Sequence, residues 1–273
     1  MKKGDCKLNR AGELLYITFP KLAAAPGVHH IFSTKTGGVS EGAAGSMNLS
    51  FHKEASRENV KENYRRLCAA AGIKEEHLVL SHQTHTDNVL TVSKKHCGTG
   101  YSKPEFNDVD GLVTAEPGVA LVTQYADCVP LLFYDPVARV CANSHSGWRG
   151  TVAKMGAVTV DKMVREFGSR PENIIAAIGP CICGKCYEVD EPVFAAFKNA
   201  GLLLPGVFTP SKNPGRYMLD LPLANKYILL SAGIKESNLD VANLCTFENS
   251  GLLHSHRATG GKRGNLAAII EMY

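Results

Sequence analysis

The sequence predicts an α/β or α+β fold, a mixed sheet with helices outside it, in a single domain spanning residues 1–273. Three observations carry this. Short, apolar, β-rich segments recur through the middle of the chain between Gly, Pro and Asp breaks. Longer stretches place apolar residues at helical spacing. No Pro/Ser-rich or charge-rich linker divides the 273 residues, and 44% hydrophobic against 21% charged residues is enough to bury a full core.

In chain order, residues 14–19 and 28–32 are short and β-rich, bounded by Gly or Pro, and are expected as strands. The turn-prone stretch TKTGGVSEGAAGS follows as a long loop. Ser56 is a plausible N-cap for a helix whose Val60, Tyr64, Leu67, Cys68 and Ala71 share one face, with Gly72 closing it. LVLSH, NVLTV, DGLVT, VALVTQY, PLLFYD and RVCANSH then read as successive strands of a sizeable sheet. After Gly150, the residues from Val152 to Phe167 repeat with helical period up to Gly168, and NIIAAIG after them reads as a buried strand. Helices are expected again at about 190–200 and 221–232. NLCTF and NLAAIIEMY are expected as two strands flanking a Gly-rich, basic loop.

Composition narrows the function classes. A net charge of +4 is spread in mixed signs, with no Lys/Arg run interleaved with aromatics, and Trp148 stands alone. Neither a nucleic-acid groove nor a base-stacking platform is expected. No apolar run approaches the roughly 20 residues of a membrane span. The N-terminal segment has two lysines but neither the apolar stretch nor the small-residue cleavage site of a signal peptide, so the expected setting is cytoplasmic. There the nine cysteines, odd in number and irregularly spaced, suit free thiols and metal ligation better than a disulfide framework.

Chemistry concentrates where apolar strands break at reactive side chains. In Tyr125-Ala126-Asp127-Cys128-Val129-Pro130 the break falls on a cysteine, and the next expected strand ends at His145, inside Ser144-His145-Ser146-Gly147-Trp148-Arg149-Gly150. If those strands are neighbours, both side chains project from one edge. The cluster Ser81–Asp87 adds His82 and His85. One thiolate and two neutral imidazoles form a borderline-soft set suited to zinc, and three protein ligands leave a fourth position for water or substrate. The competing reading makes Cys128 a small buried hydrophobe. Asp127 would face away from Cys128 in a regular strand, reaching the same site only if the strand is distorted there, and otherwise bonding loop amides.

The segments HQTH, ADCVPLLFYDP, HSGWRGT, IGPCICGKCYEV and CTFENSGLLHSHR occur in that order from residue 82 to residue 257. Together they resemble the bacterial laccase-domain family, also called the multicopper polyphenol oxidase family. The resemblance runs from about Ser33 to the last strand. It implies two mixed sheets sandwiched between helix layers and a metal held by His85, Cys128 and His145. It also implies action on purine nucleosides: phosphorolysis of adenosine, inosine, guanosine and S-methyl-5′-thioadenosine, and deamination of adenosine. Zinc is the expected ion. Copper is the alternative, but the chain lacks the repeated His-x-His pairs of a multicopper cluster.

His82 lies outside the matched position and is expected to be structural, to orient a ligand imidazole, or to serve as an alternative ligand. Arg149, before an expected helix, and Arg257, in the basic loop, are phosphate candidates. Arg263 is a weaker match, because GGKRG replaces the family's TGR-like element. Lys35–Gly38 and Ser46–Leu49 also match family loops, which makes Ser33 and Asn48 substrate-site candidates, although glycines there also make ordinary turns. Asp110 is similarly placed but has no assigned role. Cys181, Cys183 and Cys186 form a CxCxxC cluster that suggests, with Cys245, a separate structural zinc. It departs from the regular paired pattern of strong zinc motifs, and the extra cysteines read as incidental to the Tyr187-Glu188-Val189 step.

Three other function classes stay open at this level. Cys128 serves as the nucleophile of a cysteine hydrolase with His145 or His85 as base, the site oxidises polyphenols with copper, or the chain is a non-enzymatic binding module stabilised by its metal. The sequence leaves monomer and homodimer open, and does not rank the nucleosides.

Overall fold

A computed structural model describes residues 4–54 and 56–273. The opening Met1-Lys2-Lys3, with both of its lysines, lies outside the described residues. Two six-stranded mixed sheets dominate. The first has the strand order β1 (Lys7–Ala11), β2 (Leu14–Thr18), β3 (Val28–Ser33), β15 (Leu266–Met272), β7 (Ala120–Tyr125) and β4 (Leu78–Leu80). The second runs β14 (Leu239–Val241), β10 (Ile175–Ile178), β8 (Val129–Asp135), β9 (Val140–Ser146), β6 (Gly111–Thr114) and β5 (Val89–Thr91). A small third sheet joins β11 (Glu188–Asp190), β13 (Arg216–Leu219) and β12 (Phe208–Pro210). The pairs β4–β7, β5–β6 and β10–β14 are parallel, and the remaining ladders antiparallel.

Alternation along the central strands shows why their sequences read as unbroken apolar runs. In β15, Leu266, Ala268, Ile270 and Met272 enter the core between the two large sheets, while Ala267 and Ile269 enter the core beneath α2 (Arg57–Ala71). In β8, Leu132 and Tyr134 face the other sheet, while Val129, Leu131 and Phe133 meet α4 (Met155–Phe167) and α6 (Leu221–Ser231) on the outside. Both faces of each central strand are dry, so no polar alternation survives in the sequence. The order helix, sheet, sheet, helix matches the layering implied by the family resemblance.

Local signals set the helices. Ser56 caps α2, its hydroxyl accepting the Asn59 amide at 3.3 Å, a bond that contributes about 1 kcal/mol, and Gly72 ends the helix at φ 71°. Helices α5 (Glu191–Asn199) and α6 fall where their apolar spacing predicts. Among the described residues, no helix is long and apolar enough to cross a membrane.

Two expectations need correction. The single helix expected from Val152 to Phe167 is broken into α3 (Trp148–Val152) and α4, with Lys154 left-handed at φ 58° between them. Buried hydrogen bonds among Ser146, Thr151 and Asn225 of α6 hold the first turn in place, and the chain re-aims to lay Val160 and Met163 on the sheet. NLCTF is not a strand. The preceding segment Leu239–Val241 takes that place in the sheet, and Asn243 at φ 47° ends it. Strand β1, the small three-stranded sheet and the short helix α1 (Pro20–Ala24) lie in short segments whose patterns carry no strand or helix signal.

The fold also buries a titratable ring. His30 in β3 is buried, and its Nε2 accepts the Phe19 amide at 2.8 Å, so burial first, and then the neighbouring His29, lower its pKa from 6.5 to about 4. Above pH 6.5 both folded and unfolded states carry the neutral ring, and its full contribution to stability is present. As the pH falls from 6.5 toward 4, the unfolded chain binds a proton that the native ring refuses, and stability is lost. The expected loss is about 3 kcal/mol. Urea midpoints at pH 7 and 4.5 measure it, and His30→Gln is expected to flatten the dependence.

Candidate active site

Strand register assembles the site. The β8–β9 hairpin pairs Val129 with Ser146 and Pro130 with His145, so Cys128, one step before the ladder, lies opposite Gly147. On the other side of β9, β6 pairs Gly111 with Ser144, and the Asp110 carbonyl accepts the His145 amide at 2.8 Å. The expected adjacency of the strands ending at Cys128 and His145 is therefore present. His85 arrives from the loop that crosses from β4 in one sheet to β5 in the other. That loop is tied down where the Val109 amide donates to the His82 carbonyl and the Asp110 amide to the Asn88 carbonyl.

Asp110 organises the loop. Its fully buried carboxylate accepts the backbone amides of Thr84 (3.0 Å), His85 (3.2 Å) and Thr86 (2.9 Å), and the Thr86 hydroxyl (3.0 Å). This ring of donors holds His85 at φ 66°, a conformation a non-glycine residue keeps only where its surroundings enforce it. Burial pushes the Asp110 pKa up, but the His145 hydrogen bond and the amides outweigh it and hold the carboxyl below its ordinary value. The ionised Oδ1 lies 2.8 Å from His145 Nδ1, so that nitrogen donates and Nε2 is left for the site.

The potential ligand atoms of His85, Cys128 and His145 lie within 4.8 Å of one another, and the two rings meet edge-on with centroids 4.9 Å apart. His145 is buried, Cys128 half-buried and His85 exposed, so the cluster opens outward at His85. Gly147 forms its floor. A Cβ there would come 2.9 Å from His85 Nδ1 and 3.1 Å from Cys128 Sγ, so no larger residue fits without displacing both. Burial lowers the His85 pKa, with the nearby His145 adding to it, which keeps the ring neutral and able to donate a lone pair. Burial also opposes charge on His145, but the Cys128 sulfur and Asp110 more than offset it and raise that pKa to about 9.

Basic side chains lie around this opening. Arg149, exposed on α3, stacks over Trp148 at 4.2 Å and is near enough to lower the basicity of His85. Arg257, on α7 (His256–Thr259), lies 5.0 Å over the Tyr187 ring and donates from both terminal nitrogens to the Glu188 carbonyl at 3.1 Å. Arg263 donates to the Gly264 carbonyl and to Asn265, and its buried Nε has no partner among the described residues. Desolvation lowers its pKa, against the opposing fields of Asp127 and Cys128.

Ser33 and Asn48 are both fully buried. The Ser33 hydroxyl accepts the Ala267 amide at 2.9 Å, and Asn48 Oδ1 accepts the amides of Ser50 and Asn265 at 3.0 Å. Asp127 bends out of the strand at φ 90°, where its carboxylate accepts the Thr246 hydroxyl (2.6 Å) and the Arg257 amide (2.7 Å), the amide-bonding role open to it in the sequence. The carboxylate bonded to the His145 ring is that of Asp110, and His82 is not its partner. His82 lies instead with His52 and Glu105 in a separate, more exposed group. Asp110 is the residue whose role sequence reasoning missed, and the DVDG match was its one signal.

Residues 29–273 match the family described as multi-copper polyphenol oxidoreductase laccase. A purine nucleoside phosphorylase of Deinococcus radiodurans is 40% identical over 245 residues, covering 90% of this chain and 89% of that protein. Adenosine deaminase RL5, from an unknown prokaryotic organism, is 32% identical over 235 residues, covering 84% and 89%. The crystal structure of YlmD from Geobacillus stearothermophilus superposes with a TM-score of 0.90 at 32% identity, covering 98% of this chain and 99% of that one.

Proposed function

We propose, from the premise that the chain belongs to the multi-copper polyphenol oxidoreductase laccase family, that it is a zinc-dependent purine nucleoside phosphorylase with adenosine deaminase activity. Its substrates on this reading are adenosine, inosine, guanosine and S-methyl-5′-thioadenosine together with inorganic phosphate, and its setting is the cytosol. The observation that carries the proposal is the convergence of two imidazoles and one thiol, within 4.8 Å, at a point that opens outward at His85 with the exposed Arg149 nearby.

The donor set fits zinc: one sulfur and two ring nitrogens, with His145 Nδ1 bonded to Asp110 so that Nε2 faces the site and would give up its proton when an ion binds. Copper is the alternative ion for the same three residues. Bound there, zinc supplies Lewis-acid polarisation and brings the pKa of a water toward about 7. The chain supplies orientation and charge. Arg149 and Arg257 hold phosphate near the cluster, stacked on Trp148 and Tyr187 so that their forks need little further ordering. Phosphate then attacks C1′ of the sugar as the purine leaves. In deamination, water adds at C6 of adenosine and ammonia departs. Asn48 holds the amide of Asn265 in the segment that carries Arg263, and Ser33 holds that of Ala267, which makes both supports of the substrate wall.

Inosine incubated with zinc-loaded protein, with and without phosphate, tests the reading. Hypoxanthine and ribose 1-phosphate are expected to form only with phosphate, and Arg149→Ala is expected to raise the KM for phosphate about tenfold. Equal hypoxanthine release without phosphate would rule out phosphorolysis. No turnover of any of the four nucleosides would overturn the proposal.

A further inference from the structure

Away from the His85 cluster, three sulfurs meet. Cys183, Cys186 and Cys245 bring their Sγ atoms within 4.8 Å of one another, with Cys245 buried and the other two half-buried. Cys181 stays outside the group, its backbone tied to Cys245 in an isolated parallel bridge. Cys183-Gly184-Lys185-Cys186 closes as a turn, the amides of Cys186 and Tyr187 both donating to the Cys183 carbonyl at 3.0 and 3.1 Å. Gly184 allows the turn to lie against Asp220, since a Cβ would come 2.7 Å from that residue's Cβ. The Cys183 amide donates to Cys245 Sγ at 3.3 Å, which ties the turn to the third sulfur. Beside the sulfurs, a cavity of about 1080 Å³ lined in part by Cys183, Cys245, Asp220 and Glu248 provides access and room for a fourth ligand.

We propose that Cys183, Cys186 and Cys245 bind a soft d¹⁰ metal ion, zinc(II) or copper(I), at a second site distinct from the one at His85, Cys128 and His145. Three thiolates suit either ion, and binding releases the three thiol protons to solvent. Metal–sulfur bonds of about 2.3 Å in a tetrahedral arrangement place sulfurs about 3.8 Å apart, so closing the site needs only small side-chain adjustments. The ion would fasten together the two segments that grip the residue before Cys128. The Ile182 amide donates to the Asp127 carbonyl at 3.0 Å, and Thr246, next to Cys245, donates to the Asp127 carboxylate.

The test counts ions in reduced full-length protein, loaded anaerobically with zinc(II) in one arm and copper(I) in the other, then desalted. Wild type, Cys186→Ser, Cys128→Ala and the double variant are compared, with circular dichroism confirming folding. Cys186→Ser is expected to lose one ion relative to wild type, and Cys128→Ala to retain one that the double variant loses. The arm in which this occurs identifies the ion. In Cys128→Ala loaded with cobalt(II), near-ultraviolet sulfur-to-metal charge transfer is expected, and it must vanish in the double variant. Equal ion counts for wild type and Cys186→Ser in both arms, or no charge transfer in folded Cys128→Ala, would overturn the proposal. The Cys128→Ala background makes the outcome independent of the proposed enzymatic activity.

Discussion

Cys128→Ala is expected to remove the metal of the His85 site and the phosphorolysis of inosine together, with activity falling by at least about 10³-fold. Loss of groups that merely support a ligand already costs about 10- to 100-fold in metal affinity or activity, and loss of a ligand itself costs more. The fold should survive, because Cys128 is half-buried beyond the end of the β8 ladder and the dry core of β8 begins at Val129. Elemental analysis in parallel with the nucleoside assay separates the outcomes. Activity retained in metal-free Cys128→Ala protein would reject metal dependence. Zinc retained with activity lost would favour the reading in which Cys128 is a nucleophile and the adjacent His145 its proton partner, and trapping of Cys128 by an electrophile in fully loaded protein would support that reading.

Asp110→Asn carries the second large effect. The carboxylate satisfies three backbone amides, one hydroxyl and the His145 ring at once. An asparagine offers a single acceptor oxygen and turns an N–H₂ group toward donors. The expected cost is about 3 kcal/mol of stability, from donors left unpaired in a buried site. Metal affinity is expected to fall about 10- to 100-fold, because His145 loses its fixed tautomer and His85 the ring of bonds that holds its backbone. Denaturant unfolding and competition with a zinc chelator measure the two effects separately. Wild-type zinc affinity in the folded variant would show that Asp110 supports the loop without tuning the ligands.

Much of this arrangement is legible in the sequence. Cys128 and His145 stand at the ends of apolar segments, which marks them before any family resemblance, and the short spacing between those segments makes an antiparallel hairpin the natural connection. Asp110 resists the same reasoning. Its partnership with His145 depends on the cross-strand register of Gly111 with Ser144, which residue spacing does not encode. The same holds for the sulfurs: Cys245 lies far along the chain from the Cys183–Cys186 turn, and only the folded chain shows that Cys181 stays out of the group. The break at Lys154 arises from hydroxyls and Asn225 on a different helix, a tertiary demand that overrides an uninterrupted helical period. Strands β11, β12 and β13 are three or four residues long and largely unburied, too short for alternation to register.

Strand β15 follows every other strand among the described residues, yet it lies in the middle of the first sheet, hydrogen-bonded to β3 on one side and β7 on the other. Until it inserts, β1–β3 and β7–β4 are two separate ribbons with unpaired inner edges, and the apolar faces awaiting Ile270 and Met272 are uncovered. The longest-range pairing in the sheet is therefore also its keystone, so assembly of the sheet has to wait until β15 has been synthesised. During that interval the open edges are the part of the nascent chain most in need of protection from other molecules.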